Sequence, residues 1–182
     1  MKKPALISLL VVSIFLLALL MSPGWARSAP AKKEKVVDSR TFLRLVIAGA
    51  RNEFAAYRGG SERKSPDGGV RRSGTLRMGG RENCVWSRTA QGDVSYGCTR
   101  FWMMDEKGAS PECSAAYAEA GGQLRQELPD GWAVVEAMGL KGSPTTEASS
   151  PAGYMRVDIS ISHSRDTRLC RVSISGFRRS LR

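Results

Sequence analysis

The feature that most constrains the fold of this chain is an even set of cysteines. The set comprises Cys84, Cys98, Cys113 and Cys170. In an oxidising compartment such a set predicts two disulfides. A zinc site is not expected, because no two cysteines are separated by two residues and the chain has only one histidine. We therefore predict a fold held by two disulfides, with no metal and no cofactor.

A predicted β-hairpin defines the first of these disulfides. Strands predicted over 83–89 and 93–103 flank a turn centred on Gln91. In that register Cys84 lies opposite Cys98, and directly opposed residues of an antiparallel pair bring their Cβ atoms close enough for a disulfide. The same register also places Trp86 opposite Tyr96. One hairpin register therefore accounts for a disulfide and an aromatic pair together.

Residues 1–26 have the composition of a secretory signal peptide. Two lysines precede an apolar run over 5–21, and Gly24 and Ala26 occupy the positions that a signal peptidase recognises. The run is longer than the usual signal core of roughly 7 to 15 residues and shorter than the about 20 that span a bilayer. We expect cleavage after Ala26 and export to the periplasm or the extracellular space. The alternative is an uncleaved inner-membrane anchor with the domain outside.

The expected exported chain consists of a basic flexible tether over 27–37 and a single domain over 38–182. The full chain carries a formal net charge of +11. A surface this basic attracts anionic partners such as phosphate groups, acidic polysaccharides or acidic proteins. Export separates the domain from intracellular nucleic acid, which we do not expect as a partner. A generically basic surface without a specific partner is the alternative interpretation.

Two amphipathic helices are predicted from apolar residues that recur every three or four positions. The first is capped by Asp38 or Ser39 and ends at Gly59. Packing on a sheet is the favoured interpretation of this helix, and a membrane-surface helix is the alternative. The second begins at Ser110-Pro111 and ends before Pro129.

Alternation and turn signals predict six strands, over residues 70–78, 83–89, 93–103, 132–138, 154–162 and 168–177. The order α-βββ-α-βββ predicts an α+β fold, an antiparallel sheet of about six strands with two helices packed on one face. Cys113 lies on the apolar stripe of the second helix, and Cys170 lies on the inward face of the last strand. We therefore predict the disulfides Cys84–Cys98 and Cys113–Cys170. The segment 142–153, rich in Ser, Thr, Pro and Gly, is predicted to be a long loop.

The strand region between the helices combines basic and aromatic side chains, a mixture typical of surfaces that bind anionic polymers. The candidate binding residues are Arg71, Arg72, Arg77, Arg88, Arg100, Trp86, Tyr96 and Trp102. We predict an exported, non-enzymatic binding or inhibitor-like module of the cell envelope that contacts a protein or an anionic envelope polymer through this region. The alternative is a half-buried sheet whose arginine stems cover apolar rings.

No catalytic residue is predicted. His163 is the only histidine, and a Ser-His-Asp arrangement with Asp158 or Asp166 can be drawn. No nucleophile-elbow sequence supports that arrangement. A small envelope hydrolase centred on His163 is therefore kept as the second hypothesis. A membrane-tethered structural envelope protein, with the run over 5–21 retained, is the third.

Overall fold

An eight-stranded antiparallel sheet forms the framework of the protein in a computed structural model. The structure describes residues 33–79, 82–138 and 143–180. The predicted signal peptide and its cleavage site lie outside these ranges. Within them, no helix is both long enough and apolar enough to cross a membrane.

The strands of the large sheet are ordered β2-β3-β5-β6-β10-β9-β8-β7, and β1 pairs in parallel with β4 in a separate two-stranded sheet. The strand bounds are β1 Lys35–Val36, β2 Arg63–Lys64, β3 Val70–Ser73, β4 Leu76–Arg77, β5 Glu82–Arg88, β6 Val94–Met103, β7 Ala133–Met138, β8 Pro144–Ser149, β9 Met155–Ser164 and β10 Leu169–Arg178. The α+β class is confirmed, whereas the prediction of about six strands was too low. β1 also lies within the segment expected to be a flexible tether.

The loop predicted over 142–153 contains strand β8, which lies between β9 and β7. Thr146 and Ala148 are buried because they alternate along β8 and face the core. The polar composition of the segment concealed this alternation. The single strand predicted over 70–78 is instead split at Gly74, where a Cβ atom would lie 2.2 Å from the hydroxyl of Tyr96.

Helix α1, Ser39–Gly49, begins as predicted and ends early. Asp38 caps it, because its carboxylate accepts a hydrogen bond from the backbone N–H of Thr41 at 2.8 Å. The helix was predicted to continue to Gly59. Instead Glu53 and Phe54 adopt positive φ angles of 57° and 53°, and the chain continues in short 3-10 turns. This bend brings Phe54 into the core, where it is fully buried.

Helix α2, Pro111–Glu127, packs beside α1 on the same face of the sheet. The carboxylate of Glu127 forms ion pairs with Arg40 and Arg44 of α1. These two guanidinium groups lower the pKa of Glu127 to about 2, and Arg44 makes the larger contribution. Ser39 also donates a hydrogen bond to Gln123 at 2.9 Å. The two helices therefore cover the sheet as a connected pair.

The structure contains the disulfides Cys84–Cys98 and Cys113–Cys170, the same pairing as the sequence predicts. The first joins β5 to β6 at directly opposed residues. The second joins α2 to β10 and so fixes the helix to the covered face of the sheet. We call the opposite face, which no helix covers within the described residues, the open face.

Candidate anion-binding site

The eight candidate binding residues do not form one surface. The covered face of the sheet carries Arg72, Arg88, Arg100, Trp86, Tyr96 and Trp102. Arg71 lies on the open face, and Arg77 belongs to the small sheet. The structure therefore separates them into residues that pack against the core and residues that remain available to a partner.

Tyr96 belongs to the core and cannot contact a partner. It is fully buried, and its hydroxyl donates to the carbonyl of Leu76 at 2.6 Å and accepts from the N–H of the same residue at 3.0 Å. Burial raises the pKa of the Tyr96 phenol. Its ring also contacts those of Phe42, Phe54 and Tyr57. This tyrosine connects β6 to β4 and to the helical layer.

Trp86 is also buried, beneath two arginines. The guanidinium groups of Arg58 and Arg88 lie 4.4 Å and 5.6 Å from its ring centroid. The indole N–H donates to the backbone carbonyl of Glu53 at 3.0 Å, and the Glu53 carboxylate binds Arg88 at 2.6 Å. Arg88 therefore contacts both the Trp86 ring and the Glu53 carboxylate. This arrangement agrees with the alternative interpretation of the sequence, in which arginine stems cover apolar rings.

Three further candidates also have partners in the chain. Arg72 pairs with Glu62 at 2.7 Å, Arg77 pairs with Glu34 at 2.9 Å, and the Arg100 guanidinium lies 5.2 Å from the centroid of Trp102. Both ion pairs are partly exposed to solvent, and such pairs contribute only about 0 to 1 kcal/mol to the stability of the folded protein. Arg72 can therefore exchange Glu62 for another anion at little cost.

A basic pocket of about 380 Å³ lies at the β2 edge of the sheet. Its polar lining includes Arg63, Lys64, Ser65, Arg71, Arg72 and Asn83. Four of these residues are cationic, and none of the described residues that line the pocket carries a carboxylate. We call it the basic edge pocket. Sequence reasoning identified Arg71 and Arg72 but missed the two basic residues of β2, because residues 59–69 resembled a polar loop.

Arg63 and Arg71 create the unusual electrostatics of this pocket. They lie directly opposite each other in the antiparallel pair of β2 and β3. Both are exposed, and neither forms an ion pair within the described residues, although Asp67 attracts Arg71 electrostatically at longer range. Like charges at directly opposed positions destabilise an antiparallel pair. A bound anion would remove this repulsion, and the planar guanidinium groups suit two-point contact with carboxylate, phosphate or sulfate.

A second cleft, of about 330 Å³, carries charges of both signs. Arg156 lines it and stacks on Phe177, with the guanidinium 4.7 Å from the ring centroid. This arginine pairs with Asp158 at 3.0 Å and with Glu147 at 3.6 Å. Burial, with a further contribution from Glu147, raises the pKa of Asp158 to about 6 although Arg156 opposes the shift. Sequence reasoning missed this cluster because Glu147 lay in the predicted loop.

Neither a catalytic triad nor a metal site is assembled within the described residues. His163 is exposed there, and its side chain forms no hydrogen bond or ion pair with another described residue. The one cluster of three metal-ligating residue types in those ranges is Glu82, Cys84 and Cys98. Because both cysteines are joined in a disulfide, they have no thiolate with which to bind a metal.

No protein family, curated protein or solved structure matches this chain. The geometry of the basic edge pocket is therefore the basis for a proposed function. Of the two cavities described above, this pocket alone has a lining of a single charge sign.

Proposed function

We propose that the protein is an exported, non-enzymatic binding module that holds an anionic envelope partner in the basic edge pocket. The observation that carries this proposal is the direct opposition of two exposed arginines, Arg63 and Arg71. Lys64 and Arg72 also line this pocket, although the strand register places them on the covered face of the sheet. The partner is an acidic polymer or an acidic protein, recognised by its carboxylate, phosphate or sulfate groups. If it is a protein, this module acts in the manner of an inhibitor.

Three further features support this proposal. The net charge of +11 attracts anions over distances of about 10 Å at moderate salt. The two disulfides suit an oxidising compartment outside the cytoplasm. The pocket lies at the β2 edge of the sheet, where an extended polymer can bind along the surface without having to enter a deep cavity.

The hydrolase hypothesis has no geometric support, because the His163 side chain forms no hydrogen bond with a serine or a carboxylate among the described residues. A membrane-tethered structural role depends on residues 5–21, which lie outside those ranges. Of the three hypotheses, binding is the one for which the described residues form a candidate site.

Binding to immobilised heparin, an acidic polysaccharide, tests the proposal. We expect retention that weakens as salt rises. Arg63→Ser combined with Arg71→Ser should raise the dissociation constant about tenfold or more, because each lost charge-assisted contact contributes on the order of 1 kcal/mol. A control with Lys107→Ser and Arg165→Ser removes the same charge from exposed positions outside the pocket.

If the pocket is the binding site, the control variant should keep most of its affinity. Equal losses in the two variants would show that only net charge matters and would contradict a specific site. An acidic protein captured by the wild type but not by the pocket variant would identify the protein form of the partner. Capture of heparin alone would favour the polymer.

A further inference from the structure

The strands of the open face carry charge of a single sign over five of its eight strands. On β2, β3, β5, β6 and β10, no open-face position is acidic. Three of these positions are arginines, namely Arg63, Arg71 and Arg171. The other three strands add Arg156 to the open face, but Glu147 and Asp158 both pair with it. The open face is therefore positively charged from β2 to β10 and is not positively charged from β9 to β7.

Arg171 keeps its charge available on this surface. It is half-buried, and its guanidinium group lies 5.8 Å from the ring centroid of Phe101. It forms no ion pair within the described residues, and its buried Nε has no hydrogen-bond partner there. Arg156 stacks on Phe177 in the same way, but two carboxylates neutralise its charge. Of these two stacked arginines, Arg171 is the one that can attract an external anion.

Arg71 and Arg171 lie at the two ends of one diagonal of the open face. From Arg71 through Val85 and Thr99 to Arg171, each step moves one strand across the sheet and two residues along it. Three strand spacings and six residues correspond to a span of about 25 Å. Val85 lines the basic edge pocket, so the diagonal begins in that pocket. A single phosphate, sulfate or carboxylate group cannot reach both ends, whereas an extended polymer can.

Hydroxyl side chains dominate the open face on both sides of this diagonal. They belong to Ser87, Ser95, Thr99, Ser173 and Ser175. Ser87 hydrogen-bonds to Ser95 at 2.6 Å, and Thr99 hydrogen-bonds to Ser173 at 2.8 Å. Each hydroxyl has one donor and two acceptor lone pairs, so every pair retains a donor and several lone pairs for a ligand.

This chemistry distinguishes between the two classes of acidic partner. Protein interfaces place apolar and aromatic side chains at their centre. The centre of the diagonal instead has Gly97 and Thr99, and Val85 is its apolar contribution. A surface of hydroxyl groups suits a partner that itself carries hydroxyl groups. The open face therefore favours an acidic polysaccharide over an acidic protein.

We infer that the basic edge pocket and Arg171 together hold one linear acidic polysaccharide chain, which crosses the open face along the diagonal over Thr99. This inference rests on the proposed function and specifies the class of polymer and its path. Anionic groups of the chain contact the arginines at both ends, and its hydroxyl groups hydrogen-bond to the serine and threonine side chains between them. Glu147 and Asp158 repel the chain beyond β10, which confines it to this path.

Titration with heparin oligosaccharides of increasing length tests the path, with NMR used for the weakest ligands. A disaccharide is too short to leave the pocket, whereas a dodecasaccharide can reach Arg171. We expect the dodecasaccharide to bind at least about tenfold more tightly, because linked contacts raise the effective concentration of the second one. Arg171→Gln and Thr99→Glu should each raise the dodecasaccharide dissociation constant about fivefold and leave that of the disaccharide unchanged. Thr99→Glu sets a carboxylate in the path and diagonally beside Arg171.

Arg156→Gln and Thr145→Glu are the matched controls. Arg156 stacks on a phenylalanine as Arg171 does, and Thr145 of β8 lies in the same row of the open face as Thr99. Each control makes the same change of charge outside the path. The dodecasaccharide should therefore bind to both controls within about twofold of its wild-type affinity. Losses as large as those in the path variants would show that only net charge matters and would overturn the inference.

The double variant Arg63→Ser, Arg71→Ser separates this inference from the proposed function. If it loses the disaccharide while Arg171→Gln and Thr99→Glu keep full affinity for the dodecasaccharide, the pocket stands and the path is wrong. If it binds both oligosaccharides as the wild type does, the proposed function fails and the path fails with it. Polyglutamate of matched charge that binds more tightly than the dodecasaccharide would point to an acidic protein and would overturn the choice of a polysaccharide.

Discussion

Arg63 and Arg71 lie directly opposite each other on β2 and β3, and neither forms a close ion pair within the described residues. Opposed like charges weaken an antiparallel pair by a few tenths of a kcal/mol to about 1 kcal/mol. The folded protein retains this unfavourable contact at a strand edge, where a ligand can reach it. An anion bound between the two guanidinium groups converts the repulsion into two attractive contacts.

Arg63→Glu should therefore stabilise the protein while it weakens anion binding. The new carboxylate faces Arg71 across the strand pair and should raise the free energy of unfolding by about 0.5 kcal/mol. Urea denaturation measures the stability, and heparin retention measures the binding. Arg63→Gln is the control, which removes the repulsion without adding an attraction. A fall in stability on Arg63→Glu would contradict the proposed repulsion.

Asp158 should make the protein less stable as the pH rises through the acidic range. Its pKa is raised from 3.8 to about 6 in the folded state, mainly by burial. The folded state therefore binds the proton more tightly than the unfolded state, and stability declines between pH 3.8 and about pH 6. Above that range the protein carries the full cost of the buried charge.

Asp158→Asn should remove this cost. Because solvent reaches part of the side chain, we expect a gain of about 1 kcal/mol at pH 7, less than the full pKa shift implies. At pH 3 the variant and the wild type should have nearly equal stability. Denaturation curves at several pH values provide the measurement, with Asp166→Asn in an exposed turn as the control. An equal gain at both pH values would point to packing rather than to charge.

Local signals in the sequence predicted the features that depend on local geometry. The turn near Gln91 sets the register of β5 and β6, and that register alone brings Cys84 to Cys98. The cap at Asp38 likewise needs only the following turn of helix. The end of α1 at Gly49 depends instead on contacts with distant parts of the chain, since the bend after it packs the ring of Phe54 against that of Tyr96.

The pairing of strands explains why the sequence did not predict which charged residues meet at the two sites. Glu147 meets Asp158 because β8 pairs with β9 in one register, and the composition of β8 resembles a loop. Arg63 meets Arg71 through a local turn, in which the Ser65 N–H donates to the Gly69 carbonyl at 2.9 Å, but the composition of residues 59–69 resembled a polar loop. Charge counts predicted a basic surface, but the strand pairing decides which arginines remain without carboxylate partners.

The Cys113–Cys170 disulfide should contribute more stability than Cys84–Cys98. It closes a loop with a sequence separation of 57, against 14 for the hairpin disulfide. The loop-entropy relation gives about 4 and about 3 kcal/mol respectively. Urea denaturation of the two double-serine variants provides the comparison. A larger loss on removal of Cys84–Cys98 would show that the hairpin depends on its disulfide for more than loop closure.

Two glycine-to-alanine substitutions should change stability in opposite directions. A Cβ atom at Gly176 of β10 would lie 2.5 Å from Val46 Cγ1 and 3.1 Å from Phe54 Cζ, both on buried side chains. Gly176→Ala should therefore cost about 1 to 3 kcal/mol, because α1 must move away from the sheet. Gly122→Ala in α2 should gain up to about 1 kcal/mol, because the added methyl group meets open space. Urea denaturation of the two variants measures both changes, and a loss of stability on Gly122→Ala would show that the methyl group meets an unfavourable contact.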